Sequence, residues 1–267
     1  MKLSVRKLLH PIVCRLALRS QPFRVIQENR PAIASDRPHI YAANHTAFPD
    51  CPVMSAVVPY WALLFAGKQR LDLAGKLFFW LNGTIWVDRG EKTDMKRAKE
   101  TIIQSLLAGK DLIWFPEATW NVTESRLMLP MRWGIIEAAR RAKAQIVPVA
   151  LHYDRQRMEL RIRWGDAIDD GQLEDKAAGI RALRDRLAAM RWDFWEREGI
   201  ASRADLDVDE VRRKIAAVYE EYKSLSVADE QAAIFHPCPS REDVFPDENR
   251  LRLNKENAFL FSKRIHD

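Results

Sequence analysis

Between residues 39 and 165 the apolar positions follow two rhythms in turn. Short apolar runs at 39–43, 62–66, 84–87, 112–115, 146–152 and 158–164 predict strands. The stretches between them repeat apolar residues at helical spacing and predict helices over 52–58, 70–81, 93–108 and 132–143. Thr93 and Gly109 bracket the third of these as start and stop signals. Strands alternating with helices predict an α/β fold with a mixed, largely buried β-sheet flanked by helices.

Outside that region the texture changes. Residues 3–19 repeat Leu3, Leu8, Leu9, Ile12, Val13 and Leu16 near helical spacing, interrupted by Pro11, which predicts an N-terminal amphipathic helix. Beyond Gly165 two longer charged helices are expected. One covers 175–197, with Ile180, Leu183, Leu187, Met190 and Phe194 on one stripe; the other covers 208–224, with Val211, Ile215, Val218 and Tyr222. The tail from 232 holds Pro237, Pro239 and Pro246 before Phe259 and Phe261, and is expected to be irregular and to dock through its aromatics. The division that follows is a helix over 1–24, an α/β core over 25–170 and a helical extension with tail over 171–267.

A chain of 267 residues that is 47% hydrophobic has enough apolar surface for one large core, so disorder is not expected. Three widely spaced cysteines, Cys14, Cys51 and Cys238, suggest neither a disulfide framework nor a zinc site, and fit a reducing, cytoplasmic setting. The longest uncharged stretch is the 17 residues from 51 to 67, broken by Pro52 and Pro59, too short to predict a membrane span. The net charge of +6 is carried by residues 1–40, where Lys2, Arg6, Lys7, Arg15, Arg19, Arg24, Arg30 and Arg37 face only Glu28 and Asp36. A basic amphipathic helix at this end suits an interface with anionic lipid, or equally a first helix packed on the core. Basic residues throughout 6–19 argue against a secretory signal.

Candidate chemistry starts at His45-Thr46-Ala47-Phe48-Pro49-Asp50, where an imidazole and a carboxylate stand five residues apart across a proline. A histidine held by a carboxylate is a general base. With 6 histidines and 20 aspartates in 267 residues, chance supplies this spacing in about every second chain, so alone it distinguishes little. Three further blocks follow at strand ends: 83–89 (Gly-Thr-Ile-Trp-Val-Asp-Arg), 115–119 (Phe-Pro-Glu-Ala-Thr) and 146–149 (Ile-Val-Pro-Val). Arg89 offers a planar fork that matches phosphate oxygens, or a surface ion pair with Asp88 or Glu91. Pro148 has no N–H for a ladder and therefore implies an edge or a bulge. Phe78, Phe79, Trp80, Trp86, Trp114 and Trp133 either line a hydrophobic tunnel or are simply core.

Taken in order, the four blocks resemble those of the glycerolipid acyltransferase family typified by 1-acylglycerol-3-phosphate (lysophosphatidate) acyltransferases, over about residues 38–165. The resemblance implies an O-acyltransferase that moves a fatty acyl group from acyl-CoA or acyl carrier protein to the free hydroxyl of a lysophospholipid. His45 and Asp50 would be its catalytic pair. Gly83, Arg89, Glu117, Thr119 and Pro148 would serve substrate binding: Arg89 on the acceptor phosphate, Glu117 orienting Arg89 or the acceptor, Thr119 and nearby amides on phosphate or oxyanion, Pro148 by the acyl chain. It implies no metal and no cofactor beyond the thioester co-substrate. It also implies a peripheral location on the cytoplasmic face of a membrane, with acyl carrier protein as a possible partner and no nucleic acid. Two positions depart from the pattern. Ala118 stands where glycine is usual, so that a positive φ there is either not required or tolerated with strain, and Trp120 stands where many members have arginine. The second departure leaves open an acceptor that lacks phosphate or presents an amine. A non-enzymatic basic membrane-binding protein is the alternative outside catalysis; a serine hydrolase is disfavoured because no Gly-x-Ser-x-Gly occurs.

Overall fold

A computed structural model describes residues 3–31, 36–46, 49–59, 61–68, 71–121, 127–154, 157–169, 173 and 175–198, with 209 and 213 besides; the side chains of 3–7 are not among them. Apart from 209 and 213, the expected helix over 208–224 lies outside the described residues, as does the tail from 232. The elements in chain order are α1 (Leu3–Arg19), β1 (Arg24–Glu28), β2 (His39–Ala43), α2 (Asp50–Val57), β3 (Ala62–Gly67), α3 (Leu73–Asn82), β4 (Ile85–Val87), α4 (Lys92–Leu107), β5 (Asp111–Trp114), α5 (Gly134–Ala142), β6 (Gln145–Asp154), β7 (Glu159–Trp164) and α6 (Lys176–Glu198). All six expected strands form, and β1 is added to them.

The strands make one sheet in the order β1-β7-β6-β2-β5-β3-β4. Pairing from β6 through β2, β5 and β3 to β4 is parallel, whereas β7 is antiparallel to β6 and β1 parallel to β7, so the sheet is mixed. Alternation along each strand divides the core in two. Ile40 and Ala42 of β2 face Ile102, Ile103, Ile135, Ile136, Ile180 and Leu187 of α4, α5 and α6. Tyr41 and Ala43 face Val53, Met54 and Phe79 of α2 and α3. Burying a branched side chain such as Ile102 contributes about 1.5–3 kcal/mol, and its partners come from both sheet and helices. The six aromatics do not gather into one tunnel. Phe79 and Trp86 pack 5.1 Å apart on the α3 side, Trp114 and Trp133 belong to the core on the other side, and Trp80 is exposed. The sheet stands between them because neighbouring strand residues point to opposite faces.

β1 has the burial of an edge strand, with Arg24 and Gln27 outward. Ion pairs 135 residues apart in sequence secure it, Arg24 to Glu159 at 2.6 Å and Arg163 to Glu28 at 2.9 Å. Pro148 lies in β6, an interior strand, at the place where the regular pairing with β7 ends: Val149 pairs with Trp164, and the next bridge is Ile146 to Ile168. The Pro148 carbonyl accepts from Gly165 N–H at 2.9 Å, and the missing proline donor falls at this break.

α1 runs through Pro11 without ending. It packs against α2 and α3 through buried His10 and Cys14; His10 Nε2 lies 2.8 Å from Asn82 Oδ1. Its leucine stripe is not what the core receives. Leu8 (71% exposed), Ile12 and Leu16 face outward, as do Leu73 (84%), Leu77 and Trp80 of α3. No helix among the described residues is long and apolar enough to cross a membrane.

Candidate active site

The carboxyl ends of the parallel strands bring three of the four sequence blocks together, the place where α/β sheets commonly hold ligands. Asn44, just past β2, is buried and fastened to β6: its Oδ1 accepts from Leu151 N–H at 2.6 Å and its Nδ2 donates to the Leu151 carbonyl at 3.1 Å. His45 follows. Its backbone N–H donates to Glu117 Oε1 at 2.9 Å, and its carbonyl accepts from Asn121 N–H at 2.7 Å. β2 and the turn after β5 thus fix the histidine's backbone from both sides.

The imidazole is equally constrained. Nδ1 lies 2.8 Å from Asp50 Oδ2, Phe115 stacks on the ring at 4.2 Å, and Trp120 meets it edge-on with its indole N–H on Nε2. With Nδ1 carrying the proton toward Asp50, Nε2 presents its lone pair. Burial pulls the pKa of His45 below its ordinary 6.5, the Asp50 hydrogen bond and charge oppose this, and the charge of Arg89 lowers it further. The ring is therefore neutral at neutral pH, with 13% of its side chain exposed.

Asp50 opens α2 and is fully buried. Besides His45, its Oδ2 accepts from Thr46 N–H at 2.7 Å, and its Oδ1 accepts from the Tyr153 hydroxyl at 2.6 Å. Tyr153 sits on β6, and nothing in its own sequence neighbourhood marks it as part of the site.

Glu117 takes a different place from the one expected. Its Oε2 accepts from Leu129 N–H at 2.7 Å while Oε1 holds His45 N–H, so the carboxylate ties two backbone segments rather than orienting Arg89. Burial raises its pKa to about 7, against the opposing influence of Arg191 and the two amides. Arg191 comes from α6, is fully buried, and donates to the Leu127 carbonyl.

Arg89 follows β4 by two residues and donates to the Ala118 carbonyl, which joins the second block to the third. A Cβ on Gly67 would stand 3.2 Å from its guanidinium carbon, so glycine there keeps the approach open. Asp88, one of the two acids expected beside Arg89, accepts from Gly90 N–H at 3.0 Å and lies 3.9 Å from Lys68. Ala118 has φ of 62°, so the left-handed conformation usual for glycine is kept with a Cβ in place. Such strain costs an L-residue about 1–2 kcal/mol. Thr119 is half-buried in the same turn.

Gly83 and Pro148 each have a part in the fold. Gly83 ends α3 with φ of 78°, and a Cβ there would meet Leu63 at 2.8 Å. Pro148 lies toward Gly165 and Met190 of α6, on the face opposite that of Ala43. Among the described residues no group of three or more His, Cys, Asp or Glu is placed to hold a metal ion.

Comparison with known proteins adds to this geometry. Residues 23–152 match the family described as Acyltransferase. A 1-acyl-sn-glycerol-3-phosphate acyltransferase of Neisseria gonorrhoeae is 30% identical over 132 residues, 48% of this chain and 49% of that protein. A lyso-ornithine lipid O-acyltransferase of Pseudomonas aeruginosa is 30% identical over 125 residues, 46% of each. The chain thus spans about half the length of these two relatives. The crystal structure of a 1-acyl-sn-glycerophosphate acyltransferase from Thermotoga maritima superposes with a TM-score of 0.60 over 75% of this chain and 84% of that one, at 16% identity, which is a likeness of fold.

Proposed function

We propose, from the match of residues 23–152 to the acyltransferase family, that the protein is an O-acyltransferase carrying a fatty acyl group from acyl-CoA or acyl carrier protein to the free hydroxyl of a lysolipid. The observation that carries this reading is His45, a neutral imidazole with Nδ1 on buried Asp50 and Nε2 turned to the site. Nε2 takes the hydroxyl proton, the alkoxide oxygen bonds to the thioester carbonyl carbon, and the oxyanion is met by donors of the turn around Thr119. The carbon–sulfur bond then breaks and the thiolate leaves with the proton from Nε2. Asp50 fixes the tautomer, as the carboxylate of a triad does.

Arg89 is proposed to bind an acceptor phosphate, a role for which its planar fork is suited. The second reading is an acceptor without phosphate. It is favoured by Trp120 and by a relative named for lyso-ornithine lipid. A panel of lysophosphatidate, lyso-ornithine lipid and a neutral lysolipid with one labelled acyl thioester separates the readings. Preference for lysophosphatidate supports the first, preference for the phosphate-free lipids the second, and no ester from any acceptor contradicts both.

The exposed stripe of Leu8, Ile12 and Leu16 beside Leu73, Leu77 and Trp80, with Arg15, Arg19 and Lys76 also exposed, is proposed to lie in an anionic membrane surface. Salt-sensitive liposome binding that Ile12→Ser with Leu16→Ser weakens is expected.

A further inference from the structure

The Nε2 lone pair that must accept the substrate's proton is already occupied by the indole N–H of Trp120. The two rings meet at 83° with centroids 5.6 Å apart, so the indole presents its edge. Phe115 covers an imidazole face and Asp50 takes the other nitrogen. The next residue, Asn121, is bonded to the His45 carbonyl at 2.7 Å. The turn is therefore anchored to the histidine it covers.

Resting on the O-acyltransferase reading, we infer that Trp120 is a positioning residue that withholds the lone pair of His45 from water and yields it only when an acceptor lipid binds. An unguarded base would deprotonate water as readily as an alcohol. The water oxygen would bond to the thioester carbonyl carbon, the carbon–sulfur bond would break, and the thiol would leave with the proton from Nε2, giving free fatty acid in place of ester. An indole N–H suits the guarding role because it donates and has no acceptor with which to orient a water. Displacing it costs a factor of about 2–10 in population, the worth of one ordinary hydrogen bond. A lipid offsets that through its chain and headgroup, which a single water cannot do.

The test follows thiol release from acyl-CoA without acceptor, and ester formation with acceptor, in full-length wild type, Trp120→Phe and Trp120→Gln. Phe keeps the ring and loses the N–H; Gln restores an N–H without the ring. Acceptor-free thiol release should rise about 2- to 10-fold in Trp120→Phe and stay raised in Trp120→Gln, whose amide brings an acceptor that can orient a water. The acid limb of kcat/KM should also move to higher pH in Trp120→Phe, because a donor on Nε2 favours the neutral imidazole. Unchanged thiol release in Trp120→Phe, in a wild type that forms ester, overturns the guarding role alone. Absence of ester from the wild type with every acceptor overturns the acyltransferase reading beneath it.

Discussion

Two histidines flank β2, and each has an aspartate against its Nδ1. His39 opens the strand with Nδ1 3.3 Å from Asp111 Oδ1, and His45 lies just beyond its end with Nδ1 2.8 Å from Asp50 Oδ2. Asp111 also accepts from His39 N–H at 2.8 Å and from the Tyr41 hydroxyl at 3.2 Å, much as Asp50 accepts from Thr46 and Tyr153. The pairs differ in what surrounds the other nitrogen. The His39 side chain is 2% exposed and seated at the amino ends of the strands, whereas His45 is 13% exposed at the carboxyl ends, with Arg89 and the turn of Glu117–Trp120 around it. A histidine–aspartate pair is thus not a site in itself. The end of the sheet on which it stands, and the groups gathered there, set the proposed base apart from a core hydrogen bond.

The comparison breaks first at the carboxylates. Asp50→Asn is expected to lower kcat by on the order of 10²–10⁴, since the amide no longer fixes the Nδ1–H tautomer. Asp111→Asn is expected to leave kcat nearly unchanged and to cost about 1–3 kcal/mol of stability in denaturant unfolding. Arg89→Ala comes next, with a KM for a phosphate-bearing acceptor raised roughly 10- to 100-fold, as loss of a charge-assisted contact gives, and little change for a neutral one. Glu117 sharpens the contrast through pH. Its pKa is raised from 4.5 to about 7 in the folded state, so its stabilisation is full below 4.5 and is lost as pH rises through 7. Comparing chemical unfolding at pH 5 and pH 8, Glu117→Gln should gain on wild type by roughly 1–3 kcal/mol at the higher pH; a gap independent of pH would contradict it. Ala118→Gly is the smallest effect. Relief of the left-handed strain, partly offset by the freer unfolded chain, should raise stability by no more than about 1 kcal/mol.

Much of the fold was legible because it rests on local pattern. The run at 39–43 matches β2, and the stripe of Ile180, Leu183 and Leu187 placed α6 within a residue of its bounds. β1 was not legible: its burial does not alternate, with the adjacent Val25 and Ile26 both half-buried, and its ion pairs reach 135 residues along the chain. The His45–Asp50 pair was legible for the opposite reason, being five residues apart. Tyr153, Arg191 and the contact of Trp120 with His45 arise only from folding, across separations of 103 residues for Tyr153 to Asp50 and 75 for Trp120 to His45. Glu117 was found through its motif, whereas its bonds to the backbone amides of His45 and Leu129, 72 and 12 residues away, come from folding.

Whether His45 takes the acceptor proton is decided by acyl transfer measured with purified His45→Ala beside His39→Ala, each confirmed folded. The expected result is a loss of on the order of 10²–10⁴ in kcat for His45→Ala and near-normal turnover for His39→Ala. Near-normal transfer by folded His45→Ala would contradict the account.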